Sequence, residues 1–176
     1  KLNRQMKDYE QVLLWCKTFL LENSFSPHKG NDIAFALLFD MNLLFESYVY
    51  DYLKKNSKFK NIKNQDKKHH LAYEDEKGKF ALKPDIVIDD GKIIIDTKWK
   101  ILSESKSNQG ISQSDMYQLY AYGKKYKSEN LYLIYPKDEV VEGNLYHYYE
   151  DKELPLKILF FDVEKLENND NLLNKR

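Results

Sequence analysis

Arginine is nearly absent from this sequence: Arg4 and Arg176 stand at the two ends of 176 residues, with none between them. Bidentate guanidinium reading of base edges is therefore excluded as a main source of specificity. Any internal contact to phosphate would have to come from lysine, tyrosine, asparagine or backbone amides. Cysteine is reduced to Cys16, on a helical apolar pattern, which excludes an internal disulfide and reads as a small packed side chain in a reducing interior. No apolar run approaches the ~20 residues of a membrane span and no signal-peptide pattern opens the chain, so the expected location is the cytoplasm. Net charge is missing as well. Lysine plus arginine and aspartate plus glutamate number 28 each, so no global basic excess marks a nucleic-acid binder and the distribution of charge must carry that question. There is no G-x-x-x-x-G-K-[ST] phosphate loop, so the chain is not expected to hydrolyse a nucleotide itself. No Ser-His-Asp or Cys-His arrangement stands out for acyl transfer, and there is no internal repeat.

What is present centres on Leu82 to Trp99, LKPDIVIDDGKIIIDTKW. Ile86, Val87 and Ile88 form one β-branched arm, Ile93, Ile94 and Ile95 the other, and Asp90-Gly91 between them is a hairpin dipeptide. With a two-residue loop, Asp89 faces Lys92, Ile88 faces Ile93, and Asp85 falls directly opposite Asp96. Opposed residues share a sheet face about 5 Å apart, and Lys98, two beyond Asp96, returns to that face. One patch then holds two acids and an ammonium group. Opposed like charges are unfavourable, and a divalent metal would compensate them; hard carboxylate oxygens suit Mg²⁺, which keeps several waters. Lys98 could stabilise developing negative charge or help deprotonate a water. In the alternative, Asp85 ends a turn after Pro84 while Asp96 and Lys98 form an ordinary surface pair. A three-residue loop would shift the register by one and separate the acids.

At this length one core is the default. Residues 8 to 22 carry Val12, Trp15, Cys16, Phe19 and Leu20 at helical spacing. Asn23 to Gly30 breaks the pattern, and a second helix is expected from an Asn31 or Asp32 cap to about Lys55, apolar on much of its circumference and so buried on more than one side. Within it Glu46 is either exposed or held inward by a partner, with Asp40 and Asp51 as weaker acids. Lys54 to His70 gathers seven lysines and two histidines against Asp66, which reads first as a solvated face or loop. His69 and His70 lack a third ligand nearby and would point to opposite strand faces. His70 to Tyr73 reads as a strand, Glu74 to Gly78 as a turn, and Phe80 as the start of the central hairpin, giving three antiparallel strands in succession. Ser103 to Ser112 reads as a flexible loop. A helix capped by Ser112 or Ser114 runs to about Tyr126, with Gln118 and Tyr122 one turn apart. Asn130 to Tyr135 is a buried-type strand reached by a crossover and stopped by Pro136. Val140 to Gly143 turns, Leu145 to Tyr149 and Leu156 to Val163 are further strands, and the tail from Glu164 starts helical and frays.

Pro84-Asp85 followed by Asp96-Thr97-Lys98 resembles the PD-(D/E)xK nuclease signature, with Asp where Glu is commoner. LLFESYVYDYL (43 to 53) before it and SDMYQLYAYGKKY (114 to 126) after it sharpen the match. In that order the segments resemble the nuclease domain of the McrC family, the cleavage subunit of McrBC-type restriction systems, over about residues 31 to 136. The resemblance implies an α/β restriction-endonuclease-like fold, a mixed sheet flanked by helices, with residues 31 to 176 as the nuclease domain and 1 to 30 as a helical lead-in ending a longer chain. It implies Mg²⁺-dependent hydrolysis of double-stranded DNA, with Mn²⁺ as a substitute. Asp85 and Asp96 would be the metal acids, the Thr97 carbonyl a further ligand, Glu46 a third acid and Lys98 the water-orienting cation. Gln118 and Tyr122 resemble the Q-x-x-x-Y motif that RecB-like nucleases hold over their active site. Beside such a site the lysine run could follow a DNA backbone, and the 103 to 112 loop could act as an entry lid. A GTP-hydrolysing McrB-like partner would bind through a region mostly outside this chain. The alternatives are a RecB-like exonuclease domain and a noncatalytic DNA-binding scaffold.

Overall fold

The computed structural model describes residues 40–138, 143–148, 151–170 and 172–174. The expected helix over 8 to 22, Cys16, the Asn31 or Asp32 cap and most of the 140 to 143 turn lie outside the described residues. Two apolar β-branched runs separated by Asp-Gly make a hairpin: β4 (Ile86–Ile88) pairs antiparallel with β5 (Ile93–Thr97). The flanking strands extend it to a mixed sheet. β1 (Ile62–Asn64) pairs antiparallel with β4, β6 (Asn130–Pro136) and β8 (Asp151–Phe161) continue parallel from β5, and β7 (Leu145–Tyr148) closes the far side. Among the described residues the six strands run in the order β1-β4-β5-β6-β8-β7.

Alternation along β4 and β5 gives each sheet face its own apolar layer. Ile86, Ile88 and Ile95, joined by Tyr132, Ile134 and Phe161, meet Phe45, Val49 and Leu53 of helix α1 (Met41–Asn56). Val87 and Ile94, joined by Leu131, Leu133 and Tyr135, meet Leu119, Tyr122 and Tyr126 of helix α2 (Gln113–Tyr126). The expected α/β architecture, a mixed sheet with helices on both sides, is what the chain adopts. Ser112 caps α2 as read from sequence, accepting from the Ser114 amide at 3.2 Å.

Several expectations are corrected. Asp40, inside the helix expected from 31 to about 55, is not helical. This residue is extended (φ −71, ψ 95), and its carboxylate accepts from the Asn42 and Leu43 amides, so α1 begins at Met41. Nor is α1 buried on several sides among the described residues: Phe45, Val49 and Leu53 are buried against the sheet, Tyr48 and Tyr52 edge onto Phe161 beside them, and Leu43 and Leu44 are exposed. The three successive antiparallel strands do not form. β2 (His70–Glu74) and β3 (Lys77–Ala81) make a separate two-stranded ribbon, and the partner of β4 is the three-residue β1 inside the lysine run. Residues Ser103 to Ile111 fold into a tight coil rather than an open loop. Amides of Ser103, Lys106, Gln109 and Ile111 bond carbonyls within it, and the buried Leu102 and Ile111 anchor both ends. β8 starts at Asp151, five residues earlier than read, because Pro155 and the residues before it pair with β7 across a register shift. The tail is held, not frayed, as far as it is described. Asn169 is buried and exchanges bonds with the Asp162 backbone at 2.8 Å each, and Leu172 and Leu173 enter the α1-side core.

Leu172→Ala is expected to lower unfolding stability by about 2–4 kcal/mol, the cost of emptying a packed site. Denaturant melts would check this, and a change near zero would return the tail to solvent.

Candidate active site

The turn that brings the acids together is made by its residues. Asp89 (φ 50), Asp90 (φ 56, ψ 27) and Gly91 (φ 107) all take positive φ, with Asp90 and Gly91 at the central positions of the tight turn, and the Lys92 amide bonds the Asp89 carbonyl at 3.3 Å. The register is the one a two-residue loop dictates: Ile88 faces Ile93, Val87 faces Ile94 and Ile86 faces Ile95. Asp85 therefore reaches the end of β5 beside Asp96. Asp85 Oδ2 accepts both the Thr97 amide at 2.7 Å and the Thr97 hydroxyl at 2.9 Å, locking the two strand ends together.

Asp96 is 1% exposed on the α2 side of the sheet. Burial first, then the neighbouring Asp85 charge, pushes its carboxyl up to about 7, opposed by Lys98. The Lys98 ammonium sits against Asp96 Oδ2 as an ion pair, while that buried oxygen accepts no hydrogen bond of ordinary geometry among the described residues. Burial draws the Lys98 ammonium down, but Asp96 and then Asp85 outweigh it and leave it above the usual lysine value. The Lys98 amide bonds the Ile134 carbonyl at 2.9 Å, carrying the β5–β6 pairing one residue past the strand and fixing where the side chain starts.

Glu46 comes from α1, across the sheet, and is half-buried. Its Oε1 accepts from Gln65 Nε2 at 2.9 Å, and the Gln65 amide donates to the Asp85 carbonyl at 2.8 Å, so one residue ties the helix acid to the hairpin acid. Burial raises the Glu46 carboxyl, the Gln65 bond opposes this, and Asp85 adds to it. Gln118 Nε2 donates to the Tyr122 hydroxyl at 2.6 Å, as the one-turn spacing allows. The buried phenol is raised by burial and, less strongly, by Asp96 and Asp85, and it is bonded by the backbone of Lys83, two residues ahead of Asp85. Asp40 serves as a helix cap, and Asp51 is an exposed residue of α1.

Three further residues escaped the sequence reading. Gln65, at the end of β1 with φ 47, lay in what read as a lysine loop, and its positive φ leaves no sequence signal. Asp115, in the first turn of α2, bears electrostatically on both Asp96 and Lys98, a nearness that helical spacing does not announce. Tyr135 buries its hydroxyl without a hydrogen-bond partner among the described residues, and burial, then Asp115 and Asp96, raise it.

Carboxylates outnumber cations here: Glu46, Asp85, Asp96 and Asp115 against Lys83 and Lys98. Among the described residues no three His, Cys, Asp or Glu side chains converge closely enough to hold a metal ion by themselves. Asp85 and Asp96 could supply the one or two carboxylates that a hard cation with several waters takes from a protein, and the buried Asp96 carboxylate, answered only by Lys98, fits that use. Two pockets lined by described residues, of about 550 and 260 Å³, contain none of these acids. His69 and His70 belong to neither group. The His69 ring stacks edge-on against Tyr126 at 4.3 Å, and the His70 ring lies over Gly78.

A mixed sheet with one helix on each face and acids meeting where an antiparallel hairpin joins a parallel strand defines an α/β protein compatible with a restriction-endonuclease-like fold. The chain belongs to the family described as McrBC 5-methylcytosine restriction system component, whose model matches residues 1–136. It is accordingly a component of a restriction system, of the McrC type that its motifs resemble. A comparison with curated proteins finds no match. Among the described residues no helix is long and apolar enough to cross a membrane.

An acid with a raised folded-state value binds its proton more tightly folded than unfolded, so stability falls as pH rises through the interval. For Asp96 that interval runs from 3.8 to about 7. Thermal melts of the metal-free chain are expected to show this fall and Asp96→Asn to flatten it. Parallel profiles for the two proteins would contradict the assignment.

Proposed function

We propose that the chain is the cleavage component of a modification-dependent restriction system, hydrolysing phosphodiester bonds of double-stranded DNA with a divalent cation at the Asp85–Asp96 pair. The observation that carries this reading is the pair itself: two acids at the joined ends of adjacent strands, one of them buried and answered by a single ammonium. A surplus of negative charge in a buried corner calls for a further cation. Mg²⁺ fits the donor set, with Mn²⁺ as a substitute; Asp85 and Asp96 would hold it, and the Thr97 carbonyl and Glu46 are the further oxygens on hand. When bound, the metal supplies polarisation of the phosphoryl oxygen and acidification of a water.

The chain's own residues do the rest. Lys98, kept protonated by Asp96 and Asp85, opposes charge developing on the phosphate. Glu46, steered by Gln65, presents a carboxylate with raised proton affinity next to Asp85, suited to orient a water and take its proton. Tyr122, buttressed by Gln118, fixes the Lys83 backbone and through it the approach to Asp85. Lysines between Lys54 and Lys68 supply charge for the DNA backbone. A GTP-hydrolysing McrB-like subunit would gate cutting through contacts mostly outside this chain, inside the cytoplasm where such systems meet foreign DNA.

The Gln118–Tyr122 bond favours a second reading, a RecB-like exonuclease domain. The two part on closed circular modified plasmid in the presence of the partner: a restriction subunit cuts it, and an exonuclease leaves it closed. A noncatalytic scaffold cuts nothing with either metal.

Asp85→Ala, Asp96→Ala and Lys98→Ala are each expected to lower metal-dependent cleavage at least about a hundred-fold. Gln65→Leu, acting through Asp85 and Glu46, is expected to cost about ten-fold. Plasmid cleavage at equal rates by wild type and the three alanine variants would refute the proposal.

A further inference from the structure

The geometry points to the β2–β3 ribbon as a DNA-contacting wing beside the acid pair, with Phe80 and Tyr73 meeting the minor groove of the duplex that enters the site. The nature of the partner rests on the phosphodiesterase reading above; the existence of a contact surface rests on the ribbon itself. β2 and β3 pair with one another and form a sheet separate from the main one. Such a lone hairpin is marginal in water. Its root is nevertheless firmly held: the Leu82 amide bonds the His69 carbonyl at 2.8 Å, His69 stacks on Tyr126, and the Tyr126 hydroxyl bonds Asp66 at 2.9 Å. The ribbon leaves the chain just after Gln65, which bonds Asp85, and returns at Leu82, three residues before Asp85. Both feet therefore stand at the acids.

The ribbon carries side chains that folding alone does not reward. Phe80 has φ 55 and is 76% exposed. A bulky residue in the left-handed region is strained, and here the strain yields no burial, the combination from which a functional contact is inferred. Tyr73 at 67% and Leu71 at 49% add to the exposed apolar surface.

Charge selects the partner. Residues 54–83 hold ten lysines against four acids in a chain of zero net charge. Asp66 is bonded by Tyr126, and Glu74 is ion-paired with Lys79 at 2.9 Å. Asp75 and Glu76 form the tip, which phosphates would repel, so contact is through the side of the ribbon rather than its end. Aromatic side chains among lysines suit the minor groove, where apolar wedges enter between base steps while cations meet the flanking phosphates. A neutral or basic protein surface would not draw on that lysine surplus.

The test is fluorescence anisotropy of the full chain with a fluorescein-labelled DNA duplex in Ca²⁺, together with thermal melts. Phe80→Gly and Tyr73→Ser are each expected to weaken duplex binding about ten-fold, the scale of one lost aromatic–base contact. Phe80→Gly should also melt at or above the wild-type temperature, because glycine relieves the positive φ; a merely structural role would lower both. Wild-type affinity in both variants overturns the inference, as does a wild-type chain that does not bind duplex, and either result would leave a protein partner for the ribbon. Cleavage reports separately: an Asp96→Ala protein that cuts like wild type defeats the nuclease reading and leaves the binding losses standing.

Discussion

Asp96 places a carboxylate inside the apolar layer between the central sheet and α2, with a second acid at the neighbouring strand end. An ionised group there is costly unless a positive charge answers it, and much of the local structure can be read as the arrangement of that answer. Lys98 is started in the right place by the continued β5–β6 pairing and ends on Asp96 Oδ2. Thr97 takes up Asp85 through two donors and so keeps the second acid from drifting. β5 cannot slide to relieve the conflict, because it is paired on one side to β4 and on the other to β6, and a one-residue shift would exchange the two cores.

The helices bring the remaining polar groups to the same sheet end from opposite faces. α1 is pinned there by its first turn: Asn42 accepts the Trp99 amide at 3.0 Å, and Phe45 meets the Trp99 ring at 5.4 Å, which sets Glu46 beside the hairpin. α2 contributes Tyr122 and Gln118 from its middle and Asp115 from its first turn. Gly91 permits this closeness on the other side, since a β-carbon there would stand 2.8 Å from the Tyr126 ring. The far ends of the sheet are closed by different means. Asp162 gathers Lys137, Asn168 and the amides of Glu164 and Lys165, bonds that hold its carboxyl well below the usual range and fold the tail back onto the core.

Membership in a restriction family, an acid pair with one cation, and a lysine-rich segment leading into that pair are mutually consistent. The ribbon between Gln65 and Leu82 belongs to the same corner, because its two feet flank Asp85.

The central hairpin was legible because its information is local. Asp90-Gly91 selects the turn, β-branched alternation fixes the faces, and together they place Asp85 against Asp96 by counting. The capped α2 and the crossover strand β6 follow from equally local signals, as do the helices on two faces of a mixed sheet. What the sequence could not decide depended on partners far along the chain. Whether Glu46 faced solvent or the acids turned on Gln65, nineteen residues away and in a positive-φ conformation that no pattern announces. Whether β2–β3 joined the central sheet turned on the competing claim of β1 for the edge of β4, and three residues of β1 gave too short a run to read. The polar tail looked free because its anchors, Asn169, Leu172 and Leu173, gain stability only from a core assembled by other elements. Short-range turn chemistry and strand alternation thus settled the acid pair, and long-range packing alone decided what surrounds it.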